Sequence, residues 1–258
     1  MRFALYYAPS PSSLLWELGS RWLGYDALGG ERIRQVRCSG LDPERLYEIT
    51  LIPRRYGLHA TLKPPFRLAA DSEVEMLRLA ISDFTSRRTP FVLPPLSLRR
   101  INDFFCLGPE KQTRPLAELA SECVLNFDRF RAPLTTCDLA RRSINMLTPV
   151  EKHNLITWGY PYVLEQFRFH ITLTSRITDA AEKEVIHTVL SEMFAPVLGV
   201  PLVMDAICLF VEPASGQPFV CVERFPFQIA KQTLEEFSLH DRQNQQQNLY
   251  SRHQRHPA

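Results

Sequence analysis

The chain has 258 residues, 45% of them hydrophobic, 22% charged and 10% aromatic, enough apolar material for a large core and too much for intrinsic disorder. Thirty Lys and Arg against 28 Asp and Glu leave a formal net charge of +2, too even for a non-specific duplex nucleic-acid binder. No apolar run reaches the roughly 18–20 residues that span a bilayer. The six cysteines show no CxxC spacing and lie mostly in apolar runs, as expected of reduced thiols in a cytoplasmic protein.

In chain order, RFALYY reads as a strand that breaks at Pro9. Ser12 to Leu23 follows as an amphipathic helix through Leu15, Leu18 and Trp22. YGLHATLK is a strand, and a helix runs from Ser72 to Arg87 with Ser72 and Glu75 as an expected capping box. Two strands, PFVLPPLSLRR and DFFCLGP, lead to a helix over Pro115 to Phe127. A short helix is expected from Pro149 to Trp158, ending at Gly159, and then a strand in FRFHITLTSR. Asp179 opens a helix to Phe194 with Val185, Val189 and Met193 on one side, followed by strands PLVMDAICLFVEP and PFVCVERFPF. Residues 238–258 are polar and Gln-rich and are expected to be a disordered tail.

Two segments share H-x-T-L: His59-Ala60-Thr61-Leu62 and His170-Ile171-Thr172-Leu173. Each is followed by a helix, a proline break and two strands, so the chain reads as a duplicated β-α-β-β unit. The expected organisation is one α+β catalytic domain over 1–237, its first half about 1–127 and its second about 128–237. Side chains alternate across a strand. Arg168, His170, Thr172 and Thr174 therefore share one face, as do Gly57, His59, Thr61 and Lys63. If the halves pack about a pseudo-twofold axis, two imidazoles and two hydroxyls converge in one cleft.

That set suits a phosphodiester. One neutral imidazole takes a proton from water or a hydroxyl, and the other, protonated, donates to the departing oxygen. Threonine hydroxyls can donate to the non-bridging oxygens as charge develops. A single strand histidine is more often an ordinary partly buried residue; two at equivalent places in a duplicated unit favour function. No metal or other cofactor is required: neither motif has further ligands at metal spacing, and no nucleophile elbow supports a serine triad.

With H-x-T-L present twice, the chain resembles the two-histidine phosphoesterase superfamily, which includes 2′-5′ RNA ligases and cyclic phosphodiesterases. RRYGLHATLKPPFRL, YPYVLEQFRFHITLTSR, RFALYYAP and WELGSRWLGYDA resemble a bacterial branch described as phosphonate metabolism proteins. The resemblance covers about residues 1–228. It implies a bilobal α+β fold with a central cleft, catalysis by His59 and His170, and phosphate binding by Thr61 and Thr172.

Residues 51–70 hold Arg54, Arg55, Lys63 and Arg67 and no acid. Lys63 and Arg168 are favoured as substrate contacts by strand parity; Arg54 and Arg55, in a turn before Gly57, are weaker candidates, as is Tyr56 as a stacking residue. Tyr6 and Tyr7 can stack on a sugar or base or belong to the core. Spare cations suit a substrate with a second phosphate. The phosphonate link of the resembled branch suggests 5-phosphoribose 1,2-cyclic phosphate, opened without metal. RNA-end processing of the 2′,3′-cyclic or 2′-5′ ligase type, and a non-catalytic phosphometabolite-binding module, are the alternatives. The expected partner is a small molecule rather than a membrane or a large nucleic acid.

Overall fold

A computed structural model describes residues 1–140 and 146–228; the tail expected over 238–258 lies outside the described residues. The N-terminal part of the chain contains β1 (Arg2–Tyr7), α1 (Leu14–Leu23), β2 (Tyr25–Asp26), β3 (Glu31–Arg32) and α2 (Pro43–Arg54). Next come β4 (Ala60–Phe66), α3 (Val74–Ser86), β5 (Phe91–Leu93), β6 (Leu96–Ile101), β7 (Phe104–Pro109) and α4 (Arg114–Phe127). The remainder is α5 (Thr136–Ala140), α6 (Pro149–Trp158), β8 (Ile171–Thr172), α7 (Ala180–Phe194), β9 (Leu202–Met204), β10 (Ala206–Glu212) and β11 (Val220–Pro226). The result is the expected α+β architecture around an antiparallel sheet.

That sheet has seven strands in the order β11-β10-β1-β4-β8-β7-β6. The two halves of the sequence interleave within it. The first half's hairpin, β6–β7, lies beside β8, while the second half's hairpin, β10–β11, reaches β4 across β1. The second strands of the two units, β5 and β9, pair with each other through Phe91↔Met204 and Leu93↔Leu202. Helix α3 packs on β10 and β11, so the helix of one unit covers the hairpin of the other. Every residue of β10 is buried, as is β1 from Phe3 to Tyr7, so the core runs along the middle of the sheet.

Local chemistry explains most helix ends. Ser13 caps α1 by accepting from the Trp16 N–H. Asp179 caps α7 through the Glu182 N–H, and Gly159 ends α6 in the left-handed conformation at φ 79°. The Ser72–Glu75 box does not form. Ser72 donates its N–H to Ala69 O in a turn, and α3 starts later, with Glu73 at its cap and no side-chain cap bond. On α7 the buried face is Ile186, Val189, Leu190 and Phe194, with Val185 exposed. Helix α2 was not anticipated: its start is Asp42-Pro43, an N-cap carboxylate accepting from Glu44 N–H with proline in the first turn. It ends at Arg54, where the sequence suggested a turn.

Candidate active site

The pairing of β4 with β8 builds the site. Ala60 and Ile171 are antiparallel partners at the centre of the sheet, and both are fully buried. Antiparallel register then sets His59 across from Thr172 and Thr61 across from His170, on the face opposite to Ala60 and Ile171. The two H-x-T motifs thus form a quartet about the Ala60–Ile171 pair, with the histidines on a diagonal. Diagonal neighbours of this kind lie about 7–8 Å apart, a separation that one phosphoryl group and its ester oxygens can bridge.

Both imidazoles are held alike. His59 Nδ1 lies 3.0 Å from Gly57 O, and His170 Nδ1 lies 2.7 Å from Arg168 O. A carbonyl only accepts, so Nδ1 carries the proton in each neutral ring and Nε2 is left with its lone pair. Thr61 Oγ1 lies 3.3 Å from His59 Nε2, close enough to donate to it. Tyr6 stacks on His59 with ring centroids 4.0 Å apart, and Phe210 and Tyr56 pack at 6.4 and 5.9 Å. Phe104 packs 5.8 Å from His170. Gly57 has to be glycine: its φ is +70°, and a Cβ there would lie 2.5 Å from that of Ala27. Trp22 Nε1 donates 2.8 Å to Leu173 O, pinning the strand just past Thr172.

Burial lowers the pKa of His59 to about 4, and the nearby His170 adds to the shift against the opposing hydrogen bond to Gly57. His170 is lowered too, by burial and by the charge of Arg168, again against its carbonyl bond. Both rings are therefore neutral at pH 7 in the unliganded protein.

Thr61 and His170 line a cleft of about 470 Å³ with Phe104, Tyr162, Arg168 and Arg176. His59 meets that wall through Thr61. Asn102 (φ 53°) and Leu164 (φ 54°) are the non-glycine residues in the left-handed region among those described, and both line the same cleft. Such a conformation costs on the order of 1–3 kcal/mol for a residue like leucine, and it tends to persist at functional sites.

The basic segment proves to be spent on the fold. Lys63 is only 1% exposed; its Nζ donates to Val124 O at 3.1 Å and to Asp128 Oδ1 at 3.2 Å. Strand parity failed there because β4 is irregular. Thr61 pairs with Tyr6 but Lys63 pairs with Leu5, and neighbours on β1 face opposite ways, so Lys63 is turned away from Thr61. Arg55 binds the Glu212 carboxylate, and Arg67 pairs with Asp138. Arg54 is buried, donating to Leu23 O at 2.6 Å and Thr50 Oγ1 at 2.7 Å. Tyr56 stacks on Phe219 at 5.2 Å, and Tyr6 and Tyr7 belong to the core. Of the substrate cations expected from sequence, only Arg168 stands in the cleft, exposed and beside His170. Arg176 was missed, although continuing the parity of 170, 172 and 174 by one step reaches it.

Lys63 provides a direct test. Burial brings its pKa down to about 8, against the pull of Asp128. Asp128 keeps a bidentate partner in Arg131 without it. Lys63→Met, which removes one side of a buried pair and a donor to Val124 O but leaves Arg131 on Asp128, is expected to cost stability, up to about 3 kcal/mol. It should change kcat/KM by less than about threefold, whereas an essential substrate cation would cost well over tenfold. Chemical denaturation and steady-state kinetics read the two.

Among the described residues, no group of three or more His, Cys, Asp or Glu side chains is placed to hold a metal ion, and no helix is long and apolar enough to cross a membrane. The model of a family described as "Protein of unknown function (DUF1045)" matches residues 61–220. A protein of Janthinobacterium sp. (strain Marseille) named "Ribose 1,5-bisphosphate phosphokinase PhnN" is 37% identical over 88% of this chain and 51% of its own length. One of the same name from Laribacter hongkongensis (strain HLHK9) is 33% identical over 85% of this chain and 50% of its own. The chain thus spans about half the length of these curated relatives. Among solved structures, E. coli LigT complexed with 3′-AMP is similar at 12% identity and a TM-score of 0.43, over 88% of this chain and 98% of that one.

Proposed function

We propose that this chain, which belongs to the DUF1045 family, is a metal-independent cyclic phosphodiesterase of the two-histidine type acting on a small phosphorylated sugar. The observation that carries the reading is the register of Ala60 with Ile171, which sets two histidines and two threonines into one quartet. Water attacks phosphorus, and one ring P–O bond breaks to give a phosphomonoester and a free hydroxyl. His59, neutral at physiological pH and held with Nε2 unprotonated, takes the proton of the attacking water. His170, beside the open cleft, supplies a proton to the departing oxygen once the anionic substrate has favoured its charged form. Thr61 and Thr172 donate to the non-bridging oxygens.

The substrate class draws on two supports. The curated relatives are named for an activity on a bisphosphorylated ribose, and the resemblance to phosphonate metabolism proteins points to 5-phosphoribose 1,2-cyclic phosphate. The kinase chemistry in those names is not carried over, because this sequence has no G-x-x-x-x-G-K-[ST] phosphate loop.

Purified protein in EDTA, given 5-phosphoribose 1,2-cyclic phosphate and, separately, nucleoside 2′,3′-cyclic phosphates, is expected to open the sugar phosphate faster, as followed by ³¹P NMR. Turnover of the nucleotides alone transfers the reading to RNA ends. Tight binding without turnover makes the chain a binding module.

A further inference from the structure

Two cations, Arg168 and Arg176, stand in the cleft that His170 lines. Both are exposed, and neither has an ion-pair partner among the described residues. Glu151, the acid that lines this cleft among the described residues, and Asp103, whose carbonyl holds Ile177, are otherwise occupied. Asp103, in the turn between β6 and β7, pairs with Lys183 at 3.0 Å. Glu151, on the cleft wall, caps α6 by accepting from Thr148 N–H at 2.8 Å. Each arginine is also fixed through its backbone. Arg168 O holds His170 Nδ1, while Arg176 lies between Ser175, whose N–H donates to Ile49 O, and Ile177, whose N–H donates to Asp103 O at 2.7 Å. Arg168 further borders a second hollow of about 350 Å³, where Arg99 and Arg100 stand with one acid, Glu110.

We infer that Arg168 and Arg176 form a second anion subsite that receives the non-reacting phosphate of the substrate while the cyclic ester sits on the histidine–threonine quartet. The proposal rests on the phosphodiesterase reading and adds to it the residues that choose the substrate. A guanidinium offers paired N–H donors to a phosphate in a fixed plane, and in a cleft it is less screened than at an open surface. The quartet engages the reacting phosphoryl, and among the residues lining the cleft Arg168 and Arg176 are the Lys or Arg side chains left to attract a second phosphate. A 5-phosphorylated ribose cyclic phosphate then binds at both ends and an unphosphorylated one at a single end.

The test compares ribose 1,2-cyclic phosphate with and without a 5-phosphate. Wild-type protein is expected to prefer the 5-phosphorylated compound by at least about tenfold in kcat/KM. Arg168→Gln and Arg176→Gln should each shrink that ratio, and the double variant should bring it close to one. A ratio near one in wild type, or a ratio the double variant leaves intact, overturns the subsite. Calorimetry with ribose 1-phosphate and ribose 1,5-bisphosphate gives the same comparison without turnover. If wild type hydrolyses neither cyclic compound but binds the bisphosphate at least about tenfold tighter, and the double variant does not, the subsite stands and the hydrolytic reading falls. If wild type binds both equally, the subsite falls.

Discussion

Replacing His170 with alanine is expected to lower kcat/KM at least about 10²-fold, and replacing His59 to do the same, because each removes one partner of a two-proton relay. The double variant should lose little more than the worse single one, since a base without its acid partner does not complete the reaction. The pH dependence separates the two roles. Burial holds His59 near pKa 4, so in the proposed mechanism the base is unprotonated at any pH above that. His170 is also depressed below the ordinary histidine value, so its proton is lost at lower pH than that of an ordinary histidine. The wild-type kcat/KM profile is therefore expected to fall toward alkaline pH, and the residual activity of His170→Ala to lack that limb. Retention of wild-type turnover by either variant contradicts the relay. Thr61→Val and Thr172→Val, which remove one donor each, are expected to lose less.

The largest expected loss of stability is at Glu212. Its carboxylate is 1% exposed at the end of β10, where it accepts from Arg2 of β1, from Arg55 beyond α2 and from the Gly216 N–H at 3.0 Å. It therefore ties together the first strand, the segment leading to Gly57 and His59, and the β10–β11 turn. Burial alone would raise its pKa, but the two guanidiniums and the amide outweigh that and hold it at about 2. Removing one side of a buried ion pair costs about 3–5 kcal/mol. Arg2 and Arg55 are both about a third exposed and can regain some hydration, so Glu212→Ala is expected near the lower end, about 3 kcal/mol. The sign with pH follows from the depressed pKa. The stabilisation is complete above the ordinary carboxylate value and is lost as pH falls through about 2. Urea denaturation at pH 7 and at pH 3 should show wild type losing stability that Glu212→Ala does not. A change under about 1 kcal/mol at pH 7 would mean the clamp contributes little.

The grouping of the two H-x-T motifs on one sheet face was legible in the sequence because it depends on the shortest-range rules. Alternation on a strand puts His and Thr two residues apart on one face, and two copies behind matching elements imply a common centre. What failed was whatever depended on distant parts of the chain. Lys63 obeyed alternation on paper, but the irregular pairing of β4 with β1 reversed its direction. The basic run around His59 is neutralised by Asp128, Asp138 and Glu212, none of which is near it in sequence. Interleaving of the halves through β5 and β9 is likewise a tertiary choice. Two omissions had local signals: Asp42-Pro43 marks the start of α2, and Arg176 continues the parity of the second motif.

The central claim, that both imidazoles address one phosphoryl group through Nε2, is tested most directly by ¹⁵N NMR of histidine-labelled protein titrated with inorganic phosphate. In the absence of phosphate at pH 7, His59 and His170 are predicted to show neutral rings protonated at Nδ1, with His59 remaining neutral down to about pH 4. Adding phosphate should shift the Nε2 resonances of both rings together, and Thr61→Val should weaken the effect. Phosphate that moves only one ring, or neither, contradicts the account.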